Sequence, residues 1–277
     1  MAPMADDAWR RRLDGSDQRF RPLRRFWRSL PTPPRCKTCL RPFAGPGGAV
    51  MRMIRLGPWE KNPKFCRGCY QDLDRHRGGA EVELSMLFAD VRGSTGIAEG
   101  MTPRAFMNLL NRFYSVASRE LVARDAVVDK FVGDEVVALF IPGMAGLDHA
   151  RVAIDAARAL LRETGHGTAG GPWIPVGAGV HTGVAFVGSI GGDGEGGSGG
   201  DVTDFTALGD AVNATARLAS LAGPGEILVT ESAADSAGLD SSGLERRHLE
   251  LRGRTEPMDV VVLRGEREPP APARQIP

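Results

Sequence analysis

The feature that most limits how this chain can fold is a pair of apolar runs around the turn Gly133-Asp134. Residues 126–128 precede the turn and residues 136–141 follow it, and both runs are rich in β-branched side chains. Two such runs joined by a short turn predict a buried β-hairpin with the Asp134 carboxylate at its tip. A Gly-Asp turn alone indicates only a turn, so its chemical meaning depends on what the chain places beside it.

A second carboxylate, Asp90, ends an earlier apolar run at residues 84–89. Two aspartates at strand ends are typical of a two-metal site, since their carboxylates can hold a pair of Mg²⁺ or Mn²⁺ ions about 3.5–4 Å apart. Each aspartate alone would be an ordinary turn or cap residue. It is the pairing that favours the metal site.

Charge is distributed unevenly along the 277 residues, although the formal net charge is only +1. Residues 1–80 hold 18 Lys and Arg against 7 Asp and Glu, while the rest of the chain is acidic. An acidic body suits divalent cations better than nucleic acid. No apolar run approaches the roughly 18–20 residues that span a bilayer, and no secretory signal is recognised, so a cytoplasmic protein is expected.

The N-terminal arm, residues 1–35, is rich in arginine and aromatic residues. Phe20, Leu23 and Trp27 fall at helical spacing with arginines around them, which is compatible with an amphipathic helix on an anionic membrane surface, a protein partner or nucleic acid. A solvated, partly disordered arm is the alternative, because short basic stretches are common. The prolines at 31, 33 and 34 end any helix here.

All four cysteines of the chain lie in two Cys-x-x-Cys motifs separated by 26 residues: Cys36, Cys39, Cys66 and Cys69. Four thiolates on two turns can converge on tetrahedral Zn²⁺, which makes residues 36–77 a candidate zinc-ribbon-like or treble-clef-like module. Two disulfides or an iron–sulfur cluster are the alternatives. With all four positions used as ligands, the metal would have a structural or regulatory role, not a catalytic one.

From residue 81 the apolar pattern predicts alternating strands and helices. Strands are expected at 83–90, 126–128, 136–141, 174–182 and 184–190 (broken at Gly183), 226–230, 246–251 and 258–263, with helices at 103–122, 147–161 and 208–221. The order is that of an α+β fold with a ferredoxin-like βαββαβ core and extra strands. The Gly-rich segment 191–200 and the tail 265–277 are expected to be flexible.

Five motifs in order make residues 82–264 resemble the class III adenylate/guanylate cyclase catalytic domain. They are Phe-Ala-Asp-Val-Arg-Gly-Ser-Thr (88–95), Lys-Phe-Val-Gly-Asp (130–134), Gly-Val-His-Thr-Gly (179–183), Gly-Asp-Ala-Val-Asn-Ala-Thr-Ala-Arg-Leu (209–218) and Leu-Arg-Gly-Arg-Thr-Glu-Pro (251–257). Each is weak alone, and their order makes a chance match very improbable.

The resemblance assigns roles to matching positions. Metal ligation falls to Asp90, Val91 and Asp134, and phosphate contacts fall to Gly93, Ser94 and Thr95. Asn213 would orient the ribose, and Arg217, one helical turn later, would neutralise charge that grows on the α-phosphate. Ala211, Thr215, Leu218 and Ala222 form the opposite stripe of that helix and are expected to pack on the sheet. Arg254 is preferred over Arg252 for the triphosphate, and His181 is expected to be structural.

The base-reading positions of the resemblance are Lys130 and Thr206. Lys130 is a donor only, so it matches the N1 acceptor of adenine and does not match the N1–H of guanine. The Lys/Thr pair resembles the bacterial class IIIb subgroup, in which Thr accepts from the N6 amino group. A threonine hydroxyl can also donate, which leaves GTP as the alternative substrate.

The family draws its metal aspartates from one subunit and Lys130, Thr206, Asn213 and Arg217 from the other. The resemblance therefore implies a head-to-tail homodimer that makes cyclic AMP from ATP with two Mg²⁺ or Mn²⁺ per site. Two readings compete with it. A diguanylate cyclase shares the Gly-Asp-Glu hairpin, and a catalytically silent cyclase domain could serve as a dimeriser for the zinc and basic N-terminus.

Overall fold

The structure, a computed structural model, describes residues 6–16, 26–27, 34–37, 39–60, 62–74, 78–190, 204–250 and 257–265. Within these ranges the strands are β1 (Gly78–Val91), β2 (Val127–Val132), β3 (Glu135–Phe140), β4 (Val176–Ile190), β5 (Asp204–Leu208), β6 (Glu226–Thr230), β7 (Glu245–Leu249) and β8 (Met258–Arg264). The helices are α1 (Asp6–Leu13), α2 (Gly45–Met53), α3 (Arg67–Asp74), α4 (Ser94–Glu99), α5 (Pro103–Ala123), α6 (Pro142–Ala145), α7 (His149–Glu163), α8 (Asp210–Leu221) and α9 (Glu231–Ala237).

The strands form one mixed sheet in the order β2-β3-β1-β4-β6-β8-β7, and β5 pairs with β4 beside this path. β1, α5, β2, β3, α7 and β4 follow one another as βαββαβ, and the spatial order β2-β3-β1-β4 is ferredoxin-like. The predicted α+β class is confirmed. β1 pairs with β3 on one side and with β4 on the other, so it lies at the centre of this core.

One face of the sheet is covered by α5, α7 and α9, and the apolar stripes of the first two helices lie where periodicity predicts them. On α5, Leu110, Phe113, Ala117 and Leu121 are buried, and the remaining predicted positions Phe106, Leu109 and Val116 pack partly against this core. On α7 all five predicted inward residues are buried: Ala150, Ala153, Ile154, Ala157 and Leu161. Burying these side chains is the main force that holds both helices to the sheet.

The opposite face is covered by α8 and by the N-terminal segment, which the sequence does not place there. Trp9 and Leu13 of α1 are fully buried against β1, and the Trp9 ring lies 6.4 Å from the Phe205 ring. Trp59 and Phe65 join the same apolar cluster. The solvated-arm alternative is therefore wrong for Trp9 and Leu13 of α1, whose burial against the sheet stabilises the position of this helix.

The predicted break of β4 at Gly183 is also wrong. β4 runs without interruption, and Gly183 pairs with Leu84 of β1. Gly183 is instead required for helix packing, because an added Cβ would lie 3.2 Å from Ala211 Cβ of α8 and 2.8 Å from His181 Nε2. At Gly179 an added Cβ would lie 2.6 Å from the Ala219 backbone nitrogen. The glycines of the Gly-Val-His-Thr-Gly motif thus let α8 approach the sheet closely.

Several predictions fall outside the described residues: Phe20 and Leu23 of the arm, the Gly-rich segment 191–200, Arg252 and Arg254, and residues 266–277 of the tail. Among the helices that the structure does describe, none combines the length and apolarity needed to cross a bilayer.

Candidate active site

The two predicted metal aspartates lie side by side at one edge of the core. Asp90 pairs with Glu135 in the β1–β3 ladder, and the Val91 N–H donates to the carbonyl oxygen of Asp134 (3.3 Å). Asp134 sits in the tight turn between β2 and β3, where Gly133 adopts a positive φ of 61°. The turn geometry therefore presents Asp134 next to the end of β1.

Negative charge is concentrated at this edge. Glu135 is half-buried, and desolvation together with the Asp134 charge raises the pKa of Glu135 to about 7. The Arg92 guanidinium forms an ion pair with the Asp90 carboxylate. The predicted metal ligands are the carboxylates of Asp90 and Asp134 and the backbone carbonyl of Val91. All three are hard oxygen ligands, which suit Mg²⁺ or Mn²⁺.

Arg92 also connects this edge to helix α8. Its Nη1 donates to the carbonyl oxygen of Ser220 near the C-terminal end of α8 (2.7 Å). On the other side of the site, the Tyr114 hydroxyl of α5 donates to the Gly133 carbonyl and holds the hairpin turn. The aspartates are thus supported from two helices.

The predicted phosphate segment follows Asp90 directly. Gly93 precedes α4 with a φ of 67°, a left-handed conformation that favours glycine. Ser94 and Thr95 form the first turn of α4, with Ser94 half-buried and Thr95 exposed. Their contact with phosphate stays a prediction.

The two predicted base-reading residues both contact the carboxylate of Asp129, a residue that the sequence analysis does not identify. The Thr206 hydroxyl donates to Asp129 Oδ2 (2.8 Å), and Lys130 Nζ lies 3.4 Å from the same oxygen. Lys130 also lies 3.9 Å from Asp204 at the start of β5. The sequence signal for Asp129 was its position beside Lys130 in the hairpin, but nothing local relates it to Thr206.

Helix α8 carries the predicted transition-state residues on its outer side. Asn213 is exposed and Arg217 is half-buried. The predicted opposite stripe is confirmed, because all four of its members are buried: Ala211, Thr215, Leu218 and Ala222. His181 Nδ1 and the Thr230 hydroxyl oxygen are hydrogen-bonded at 3.0 Å, in keeping with the structural role expected for His181.

The segment around the cysteines packs directly in front of the hairpin. The Asn62 side-chain amide, fully buried, donates to the Ala126 carbonyl (2.5 Å), and Lys64 Nζ lies 2.7 Å from Asp125. A cleft of about 720 Å³ separates this segment from α5 and β2. Its lining includes Glu60, Pro63, Asp129 and Lys130. The N-terminal segment therefore contributes to the surroundings of Asp129 and of Lys130, one of the two predicted base-reading residues.

The four cysteines converge, all four are buried, and none forms a disulfide. Their Sγ atoms all lie within 4.8 Å of one another, with Cys36 and Cys69 at 3.9 Å and Cys39 and Cys66 at 3.6 Å. Four sulfurs about 2.3 Å from a tetrahedral Zn²⁺ would be about 3.8 Å apart. The Cys66 and Cys69 N–H groups donate to the sulfurs of Cys36 and Cys66 (3.3 Å each), as expected around thiolate ligands. The geometry fits a metal and contradicts the two-disulfide alternative.

Comparison with known proteins matches this architecture. The sequence model of the adenylate and guanylate cyclase catalytic domain matches residues 80–265. An adenylate cyclase of Anabaena cylindrica is 28% identical over 186 residues, which cover 64% of this chain and 36% of that protein. The chain spans about a third of the length of the first curated relatives that it matches.

Two solved structures are similar at 26% identity. The guanylyl cyclase Cya2 has a TM-score of 0.58 and covers 70% of this chain and 98% of its own. The adenylyl cyclase CyaB from P. aeruginosa has a TM-score of 0.54 and covers 68% and 96%. The family model matches more than half of the chain, and both solved structures share its fold. The chain therefore belongs to the adenylate and guanylate cyclase catalytic domain family.

Proposed function

We propose that this protein is an adenylate cyclase that converts ATP to 3′,5′-cyclic AMP and pyrophosphate at the interface of a homodimer. The choice of ATP as substrate is supported by one observation: Lys130 and Thr206 both contact the carboxylate of Asp129. Similar proteins include both adenylate and guanylyl cyclases, so base choice has to be argued from residues of this chain.

Adenine offers an N6 amino donor and an N1 acceptor, whereas guanine offers an O6 acceptor and an N1–H donor. An ammonium group has donors only, so Lys130 complements adenine N1. Thr206 shares the Asp129 oxygen with Lys130, and this proximity of the hydroxyl to the ammonium supports a role for Thr206 at the second position of the base edge. Both groups can then engage adenine at once.

Cyclisation forms a bond between the ribose 3′-oxygen and the α-phosphorus and breaks the bond from that phosphorus to the bridging oxygen of pyrophosphate. Two Mg²⁺ or Mn²⁺ ions held by Asp90, Asp134 and the Val91 carbonyl would lower the pKa of the 3′-hydroxyl and neutralise the triphosphate. Asn213 would orient the ribose, and Arg217 would stabilise charge on the α-phosphate oxygens. Gly93, Ser94, Thr95 and Arg254 would hold the triphosphate.

A homodimer is supported by exposed apolar side chains on the β4–β5 arm. Val184, Phe186 and Leu208 are 57%, 37% and 51% exposed, and Phe186 pairs with Leu208 across the two strands. Neighbouring exposed apolar side chains are a feature of protein–protein contact surfaces. A second copy of the chain would cover them and complete the site.

The proposal is tested by incubating the purified full chain with ATP or GTP and Mn²⁺ or Mg²⁺ and identifying the products by chromatography and mass spectrometry. We expect cyclic AMP, with kcat/KM for ATP at least about tenfold above that for GTP, the discrimination that a hydrogen-bonding base site provides. The Arg217→Ala variant serves as the blank. Faster cyclic GMP formation would overturn the base assignment, and the absence of any cyclic product would overturn the cyclase activity.

For the four-cysteine module we propose a structural Zn²⁺. Lys37 and Lys64 both pair with Asp125, and Asn62 and Lys64 bind backbone carbonyls at Ala126 and Ala123. These contacts join the module to the loop that leads into β2. Losing the metal would therefore loosen the module and its contacts beside Lys130.

Replacing Cys66 with Ser is expected to abolish stoichiometric zinc and lower the thermal unfolding midpoint by several degrees, because a structural metal contributes directly to folding free energy. Metal content by mass spectrometry and unfolding by circular dichroism measure both effects. Met53→Ser is a matched control, since Met53 lies in the same module but is 79% exposed. Iron with visible absorption in place of zinc, or protein without bound metal, would contradict the assignment.

A further inference from the structure

Asp129 occupies an unusual place in the hairpin. Val128 of β2 pairs with Ala138 of β3, and Lys130 pairs with Val137. Val137 and Ala138 are consecutive, whereas Asp129 lies between Val128 and Lys130. Asp129 is therefore the extra residue of a β-bulge in β2. Such a bulge redirects side chains, and Asp129 is only 3% exposed. A carboxylate this deeply buried at a strand irregularity needs polar partners. Its partners include the two groups that would read the base.

The direction of the Thr206 hydrogen bond decides what that hydroxyl can offer to a ligand. A hydroxyl has one proton and two lone pairs, and a carboxylate can only accept. Since Thr206 donates its proton to Asp129 Oδ2 (2.8 Å), only lone pairs remain for a base. Lys130 has three protons, so its contact with the same oxygen at 3.4 Å leaves donors for the base.

We propose that Asp129 is the positioning residue that sets base specificity by holding Thr206 as an acceptor and Lys130 as a donor. This inference rests on the proposed adenylate cyclase function and deepens it. The resulting edge complements N6–H and N1 of adenine. Guanine would place its O6 against the lone pairs of Thr206 and its N1–H against the ammonium of Lys130, so both contacts would be repulsive. The ability of a free threonine hydroxyl to donate is thereby removed.

The principal test is Asp129→Asn, measured as kcat/KM for ATP and for GTP. An Asn amide can donate to the Thr206 oxygen, which frees the hydroxyl proton for guanine O6. We expect the ATP-to-GTP ratio of kcat/KM to fall by about tenfold or more, through a loss with ATP and a gain with GTP. A merely structural role for Asp129 would lower both constants together and leave the ratio unchanged, which would overturn the inference.

Two further variants control this experiment. Asp155→Asn alters a half-exposed aspartate of α7, which pairs with Arg151 and Arg158, and it should leave the ratio unchanged. In a Thr206→Val background, Asp129→Asn should change the ratio by less than about threefold, because the hydroxyl through which it acts is absent. An undiminished effect in that background would contradict the proposed route through Thr206.

Substrate analogues test the acceptor state of Thr206 in the unmodified chain, so the test survives if Asp129→Asn fails to fold. Inosine triphosphate has the guanine O6 and N1–H without the 2-amino group and should be rejected like GTP. 2-Amino-ATP keeps the adenine edge and should be accepted. The opposite pattern would overturn the inference.

The failure of this inference can be told apart from failure of the proposed function. Unmodified protein that prefers GTP would contradict the proposed function itself. A preference for ATP that Asp129→Asn leaves intact would contradict only the role of Asp129. If no cyclic product forms, the ratio of the Kd values for ATP and GTP, measured by calorimetry on both proteins, replaces the rates and is expected to shift in the same direction.

Discussion

Replacing Asp134 with Asn is expected to reduce cyclic AMP formation by about 10³-fold or more, since the proposed two-metal arrangement would supply several kcal/mol of transition-state stabilisation. The amide keeps the size of the side chain, and the hydrogen bond from the Val91 N–H uses the backbone carbonyl of Asp134, so the hairpin is preserved. The loss would therefore come from the missing carboxylate charge. Initial rates at saturating ATP and Mn²⁺ measure it.

A second readout separates metal binding from damage to the fold. Mn²⁺ binding followed by electron paramagnetic resonance in the presence of a nonreactive ATP analogue should weaken in Asp134→Asn, while the circular dichroism spectrum stays the same. Asp148→Asn is the matched control, because that carboxylate is 72% exposed and pairs with Arg151 on α7. Residual activity within tenfold of that of the unmodified protein would contradict the prediction that Asp134 is a metal ligand.

Mixing two inactive variants is expected to restore activity if the site is shared between subunits. Asp134→Asn removes the metal side and Arg217→Ala removes the transition-state side. Random dimers of an equal mixture are half heterodimers, each with one intact site of two, so about a quarter of full activity should return. The measurement is the cyclic AMP rate after the variants are co-refolded or allowed to exchange subunits.

The alternative to a shared site is an active site formed within one chain, and the structure contains a contact that favours it. Within one chain, Arg92 bridges Asp90 and the carbonyl of Ser220, so the end of α8 lies near the aspartates of its own subunit. A site formed within one chain would give no recovery on mixing. The chain that carries both substitutions, mixed with either single variant, should stay inactive under the shared-site arrangement and serves as the background.

Local patterns in the sequence determined the elements and their inward faces. The 3.6-residue period of α5 and α7 predicted which side chains are buried, because neighbouring turns of a helix share one face. The turn at Gly133-Asp134 predicted the hairpin, and the spacing of Cys36, Cys39, Cys66 and Cys69 predicted their convergence. The order of elements together with the family resemblance predicted the core. The roles of Asp90, Asp134, Asn213 and Arg217 stay predictions of the same resemblance.

Only the tertiary structure decided the contacts between distant segments. Four strand spacings of about 4.8 Å would separate β2 from β5 by about 19 Å in a flat sheet. The 2.8 Å bond from Thr206 to Asp129 therefore requires the sheet to coil, and no local pattern encodes contact between residues 77 positions apart. The docking of Trp9 and the close approach of α8 over Gly179 and Gly183 are of the same kind. The sequence by itself predicted that Lys130 and Thr206 would read a base, and the coiling of the sheet decided that both contact the carboxylate of Asp129.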